Sequence, residues 1–166
     1  MSTRRRHESL IPLSREHHYA LMLCLHINRG LAAHREESGW LQTKARQAAL
    51  FVETDLATHF RAEEQILFPS IQRISDAGSV IERLLAEHRE LERLGQQLRE
   101  VGSATAAGIL KEFAALLEDH IRKEERLLFP IFERELPEPI AAKVGRCIVA
   151  LIGSALHPNH PELLEP

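Results

Sequence analysis

The chain has 166 residues, a formal net charge of -3, 44% hydrophobic and 27% charged residues, the balance of one globular domain with its own core. That charge excludes a generally basic nucleic-acid surface, so no nucleic-acid partner is expected. No apolar run is long enough to span a bilayer and none follows Arg4-Arg5-Arg6, so neither a membrane anchor nor a secretory signal is expected.

Residues 1–9 read as a flexible, solvated N-terminus. The first helix is expected from Leu10 to about Arg35. Leu10, Leu13, His17, Ala20, Cys24, Ile27 and Leu31 follow a helical rhythm and form one buried stripe. Gly30 weakens this stretch, and residues 36–40 read as a connection. The second helix is expected from about Gln42 to Arg73, with the stripe Val52, Leu56, His59, Glu63, Ile66 and Ser70. Pro69 should kink or stop it.

Residues 75–79 read as a turn. The third helix runs from about Val80 to Glu100 with the stripe Ile81, Leu84, His88, Leu91, Gly95 and Leu98. Val101 to Gly108, small and Gly-containing, reads as a loop. The fourth helix runs from about Ile109 to Arg134, with Leu110, Phe113, Leu117, His120, Glu124, Leu127 and Ile131 on its inner face. Pro137 and Pro139 close it, and a short helix from about Ile140 to Ile152 follows. The segment Ile140 to Leu156 is apolar enough to dock on the bundle or on another chain, and the oligomeric state stays open. The tail with His157 and His160 reads as solvated. The fold class is all-α: an up-down-up-down four-helix bundle over residues 10–136, with a short C-terminal helix and tail over 137–166. Cys24 and Cys147 are the two cysteines. They lack metal-type spacing and read as reduced thiols of a cytoplasmic protein.

The second and fourth helices share an internal repeat. From Leu56 to Arg73, nine of eighteen positions are identical to the segment 61 residues later. In register are His59 with His120, Glu63 with Glu124, Glu64 with Glu125, and Leu67-Phe68-Pro69 with Leu128-Phe129-Pro130. Within each copy a His and a Glu stand four apart, one above the other on a helix face.

His17, His59, Glu63, His88, His120 and Glu124 all occupy positions that the rhythm assigns to the core. Two buried carboxylates without a cation would cost several kcal/mol each. A metal offsets that charge and gives each imidazole lone pair a partner. The six ligands suit two ions, each with imidazoles of its own and both carboxylates bridging. Imidazole and carboxylate without thiolate suit iron, manganese or zinc better than copper(I) or magnesium, and a closed structural zinc site would normally use Cys. Adjacent His17 and His18 point about 100° apart. His17 shares the stripe of Leu10, Leu13, Cys24 and Ile27 and is preferred, with His18 the alternative. Glu64 and Glu125, one residue past each pair, turn off the stripe and read as solvated or as supports behind the ligands.

On these residues, and on the H-x-x-x-E-E-x-x-L-F-P repeat, the chain resembles the hemerythrin-like HHE cation-binding family over roughly residues 10–134. The resemblance implies a four-helix bundle around an oxo-bridged, non-haem pair of iron ions. Its paired ligands fall on His59 with Glu63 and on His120 with Glu124, and its third-helix histidine on His88. The oxygen-carrying members use five His and two carboxylates, whereas four core His and two Glu stand here. Fewer ligands imply more open coordination positions. The expected function is therefore binding or sensing of a small diatomic ligand, O2 or NO, or of iron and redox state, through the di-iron centre. The alternatives are a di-iron enzyme acting on O2, NO or peroxide, iron-centre maintenance under stress, and a bundle without metal.

Overall fold

The computed structural model describes residues 6–34, 37–74 and 77–153. Arg4, Arg5, His157 and His160 lie outside the described residues. A 3-10 turn at Glu8–Leu10 leads into α1, Ile11–His34. The second long helix, α2, covers residues 38–72 in five continuous segments. Then come α3, Gly78–Glu100, α4, residues 103–135, and α5, Glu138–Ile152. No strand occurs among the described residues. No helix among them is long and apolar enough to cross a membrane.

The links are shorter than the sequence suggested. Residues 38–40, expected in a connection, form the first turn of α2, and Trp40 packs against Gly30 of α1. A Cβ added at Gly30 would fall 1.8 Å from the Trp40 ring, so this glycine is a close-approach point. The expected loop over residues 101–108 shrinks to Val101 and Gly102. Ala104, Ala106 and Ala107 are strong helix formers, the amides of Thr105 and Ala106 donate to the Gly102 carbonyl, and Ala106 is fully buried. Helix α5 starts at Glu138 because Pro139 falls in the first turn, where no amide hydrogen is required.

Among the described residues, three turns are wound as π-helix: Val52–Leu56, Glu63–Leu67 and Glu124–Leu128. The last two occupy equivalent places in the repeat. In each, the amide of the following Phe donates to the carbonyl of the Glu five residues back, Phe68 to Glu63 and Phe129 to Glu124. A π-turn inserts one residue into the helical period. The buried face therefore shifts by one. Leu67, Phe68 and Ile71 are buried in α2 instead of Ile66 and Ser70, and Leu128 and Phe132 in α4 instead of Leu127 and Ile131. Leu127 is half exposed. The widened turn also makes room for a proline ring that would crowd the carbonyl four residues back. The chain thus stays helical through Pro69 to Gln72 and through Pro130 to Glu135, so of the kink or stop expected at Pro69 the stop does not occur.

Helix α1 packs on α4, α2 on α3 and on α4, and α3 on α4. Helix α5 docks on the bundle, against the 3-10 turn and the middle of α2. It buries Ala141, Val144, Gly145 and Ile148. The apolar interior divides in two. One half holds Leu23, Ile27, Phe51, Leu94, Phe113 and Leu117. The other holds Leu13, Leu67, Phe68, Leu84, Phe129 and Ile148. A layer of buried polar side chains lies between them.

Candidate metal centre

That layer is made of the six predicted residues. His17 comes from α1, His59 and Glu63 from α2, His88 from α3, His120 and Glu124 from α4, and all are buried. His18, the alternative to His17, is exposed and makes an edge contact with Tyr19. The six residues form two overlapping groups of four whose ligand atoms lie within 4.8 Å of one another: His17, His59, Glu63 and Glu124, and Glu63, His88, His120 and Glu124. Glu63 and Glu124 belong to both.

The Nε2 atoms of all four histidines face the carboxylates. His59 Nε2 lies 3.1 Å and His88 Nε2 3.3 Å from Glu63. His17 Nε2 lies 3.1 Å and His120 Nε2 3.5 Å from Glu124. The opposite nitrogen of each ring, Nδ1, meets a second carboxylate. His17 Nδ1 is 2.8 Å from Glu125, His59 Nδ1 2.7 Å from Glu16, His88 Nδ1 2.8 Å from Glu64 and His120 Nδ1 3.1 Å from Glu87. Each support comes from a neighbouring helix, so the set closes a ring: α1 holds α2, α2 holds α3, α3 holds α4, and α4 holds α1.

A carboxylate only accepts, so each Nδ1 carries the donated hydrogen, and a ring in its neutral form turns its Nε2 lone pair inward. With neutral rings the centre is a set of acceptors without donors. His17 Nε2 and His59 Nε2 approach to 3.1 Å. Both oxygens of Glu63 and of Glu124, with Nε2 of His88 and of His120, are buried without a hydrogen-bond partner. Unpaired buried groups of this kind are costly, and a cation satisfies all of them together. The residues therefore fit a metal pair.

The electrostatics agree. Burial pulls the His59 ring down, but Glu63 and Glu16 outweigh it and leave its pKa well above the ordinary value. Burial likewise opposes, and neighbouring carboxylates outweigh it to raise, His17 and His88. Burial pushes Glu63 up, yet His59 and His88 hold it well below the usual carboxylate range. Burial also pushes Glu87 and Glu125 up, but their histidines and the nearby Lys123 and Arg6 bring both down to about 2. Without a metal, protons are the cations this site draws in.

Aromatic rings enclose the layer. Phe129 stacks on His17 with centroids 5.4 Å apart, and its repeat partner Phe68 stacks on His88 at 5.7 Å. This gives the Leu-Phe-Pro segments a role at the site besides packing. Phe60 covers His88 more closely, at 3.8 Å. A cavity of about 30 Å³ reaches His17, His59 and His120, and both apolar side chains (Phe51, Leu56, Phe60) and polar ones (Arg15, Glu16, Thr58) line it.

The sequence reading left Glu64 and Glu125 between solvent and a supporting role, and the structure shows the support. It missed Glu16 and Glu87. A faint signal was present, because Glu16-His17 and Glu87-His88 are the same dipeptide in the two halves of the chain.

Fold and site together define a helical bundle built to hold metal in its interior. The hemerythrin HHE cation-binding domain matches residues 12–132, and the chain belongs to that family. A curated relative from Nostoc sp. (strain PCC 7120 / SAG 25.82 / UTEX 2576), named DNA nickase, is 30% identical over 84 residues, 49% of this chain and 24% of that protein. The chain thus spans about a quarter of that relative's length. No solved structure matches it.

Proposed function

We propose that the chain binds two iron ions and, through them, a small diatomic ligand, O2 or NO. His17 and His59 would hold one ion, His88 and His120 the other, and Glu63 and Glu124 would bridge them. The observation that carries this reading is the pair of overlapping four-residue groups sharing two buried, otherwise unpartnered carboxylates. When bound, ferrous iron supplies electrons and open coordination positions to such a ligand.

The residues around the centre suit that task. Four neutral imidazoles and two carboxylates leave each ion short of a full coordination shell. The carboxylates behind the rings fix tautomer and orientation. The cavity beside His17, His59 and His120, about 30 Å³, exceeds the ~10–15 Å³ that one water needs, which leaves room for a diatomic gas. An anaerobic titration tests the reading. Protein reconstituted with ferrous iron should change its visible spectrum on addition of O2 or NO, and the His59→Ala/His120→Ala variant should not. Full iron loading in that variant would contradict the ligand assignment, and an unchanged spectrum in the loaded wild type would contradict the gas ligand.

A further inference from the structure

The two halves of the metal layer are supported differently. In the second half, Arg89 follows His88 directly and pairs with Glu64, the carboxylate that holds His88. In the first half, the residue after His17 is His18, which is exposed and supplies no such cation. The carboxylate that holds His17 is Glu125, and its cation comes from outside the four long helices.

That cation is Arg6. Its guanidinium pairs with the Glu125 carboxylate, approaches the Glu125 carbonyl at 3.4 Å and donates to Glu133 at 2.9 Å. It also lies 5.0 Å from the centroid of Phe129, the ring stacked on His17. Glu125 is completed by the Ser14 hydroxyl at 2.7 Å. The backbone around Arg6 is held as well. The His7 amide donates to Glu133 at 3.0 Å, and the Ser9 hydroxyl to the Ala141 carbonyl of α5 at 2.8 Å. Residues 6–9, expected in a flexible end, are thus a strap that joins α4 and α5 to the back of one histidine.

We propose that Arg6 is a positioning residue of the metal centre: it fixes Glu125 and Phe129 around the His17 ring and so governs how firmly the ion at His17 and His59 is held. This rests on the two-ion reading above. Arg6 touches neither ion. It acts through Glu125 on the orientation of one ligand, and it leaves His88 and His120 to Glu64 and Glu87.

The test compares the full-length wild type with Arg6→Gln, Arg6→Lys and the double variant Arg6→Gln/His18→Arg, each loaded with ferrous iron without oxygen. Iron per chain and its release to excess ferrozine are followed, with the melting temperature of the metal-free proteins beside them. Arg6→Gln should release one of two ions faster, by less than the roughly 10- to 100-fold expected for losing Glu125 itself, the support behind the ligand, and the other at the wild-type rate. Arg6→Lys should recover part of the difference. His18→Arg, which places an arginine where Arg89 stands in the other half, should restore slow release. Equal acceleration of both ions would make the effect one of general stability and overturn the proposal. Two ions released from Arg6→Gln at unchanged rates would overturn the role of Arg6 alone. Absence of iron from the wild type would overturn the two-ion reading and the proposal with it.

Discussion

At the scale of single residues, the inner ligands and their supports differ in how they are encoded. His59 with Glu63 and His120 with Glu124 are local pairs, four apart on one helix, so spacing alone brings them together. Glu16 and Glu87 serve histidines on other helices, and only the packing of α1 on α2 and of α3 on α4 makes those contacts. Glu87→Gln keeps the shape but removes the charge that fixes His120 as an inward lone-pair donor. Metal affinity should fall roughly 10- to 100-fold, as measured by competition with a chelator, while the helical circular dichroism stays unchanged. The cysteines make a second test. Burial pushes the Cys24 thiol up to about 12, whereas Cys147 is exposed. Only the thiolate attacks an alkylating reagent. Iodoacetamide at neutral pH should therefore modify one cysteine in the folded protein, Cys147 by peptide mapping, and both after denaturation.

At the scale of the element, existence and order of the helices were legible in the sequence, and their ends and late faces were not. The 3.6-residue rhythm of α1 holds as far as Ile27, with Leu31 only partly buried, and that of α3 survives intact, so every strongly apolar position read as buried on α3 is buried. On α2 and α4 the rhythm holds up to Glu63 and Glu124 and then slips by one residue. No single-residue propensity announces a π-turn. The signal is the repeated Glu-Glu-x-x-Leu-Phe-Pro itself, in which a proline inside a helix demands a local change of winding. Glycines separate packing from propensity. A Cβ at Gly95 would fall 2.8 Å from Val52, where α3 crosses α2, while one at Gly108 meets nothing within 4 Å. Gly95→Ala should destabilise by about 1–3 kcal/mol through overpacking. Gly108→Ala, inside α4, should stabilise by roughly 0.5–1 kcal/mol through helix propensity. Urea unfolding of the two variants should move in opposite directions.

At the scale of the whole molecule, the polar layer lies between two apolar cores and ties α1, α2, α3 and α4 into one ring. A metal pair would bind only when the four helices are assembled, so its binding energy adds to folding stability. At a free metal concentration a hundred times Kd, one site contributes about 2.7 kcal/mol, or roughly 5–10 °C in Tm for a chain of this size. Chelation should lower the Tm of the loaded protein by at least that much, and an unchanged Tm would mean that the layer is stable with protons alone. The family and its bundle were readable because six core His and Glu residues and a repeat are specific in combination. The ring of supports and the Arg6 strap were not, because each joins residues that only the tertiary fold makes neighbours.

The most direct test of the account is the metal content of protein purified without a metal-affinity column, measured by plasma emission on wild type and on Glu63→Ala/Glu124→Ala. Two iron ions per wild-type chain, and loss of both when the two shared carboxylates are removed, is the predicted result. A wild type with no metal after ferrous reconstitution, or a double variant that still holds two ions, would contradict it.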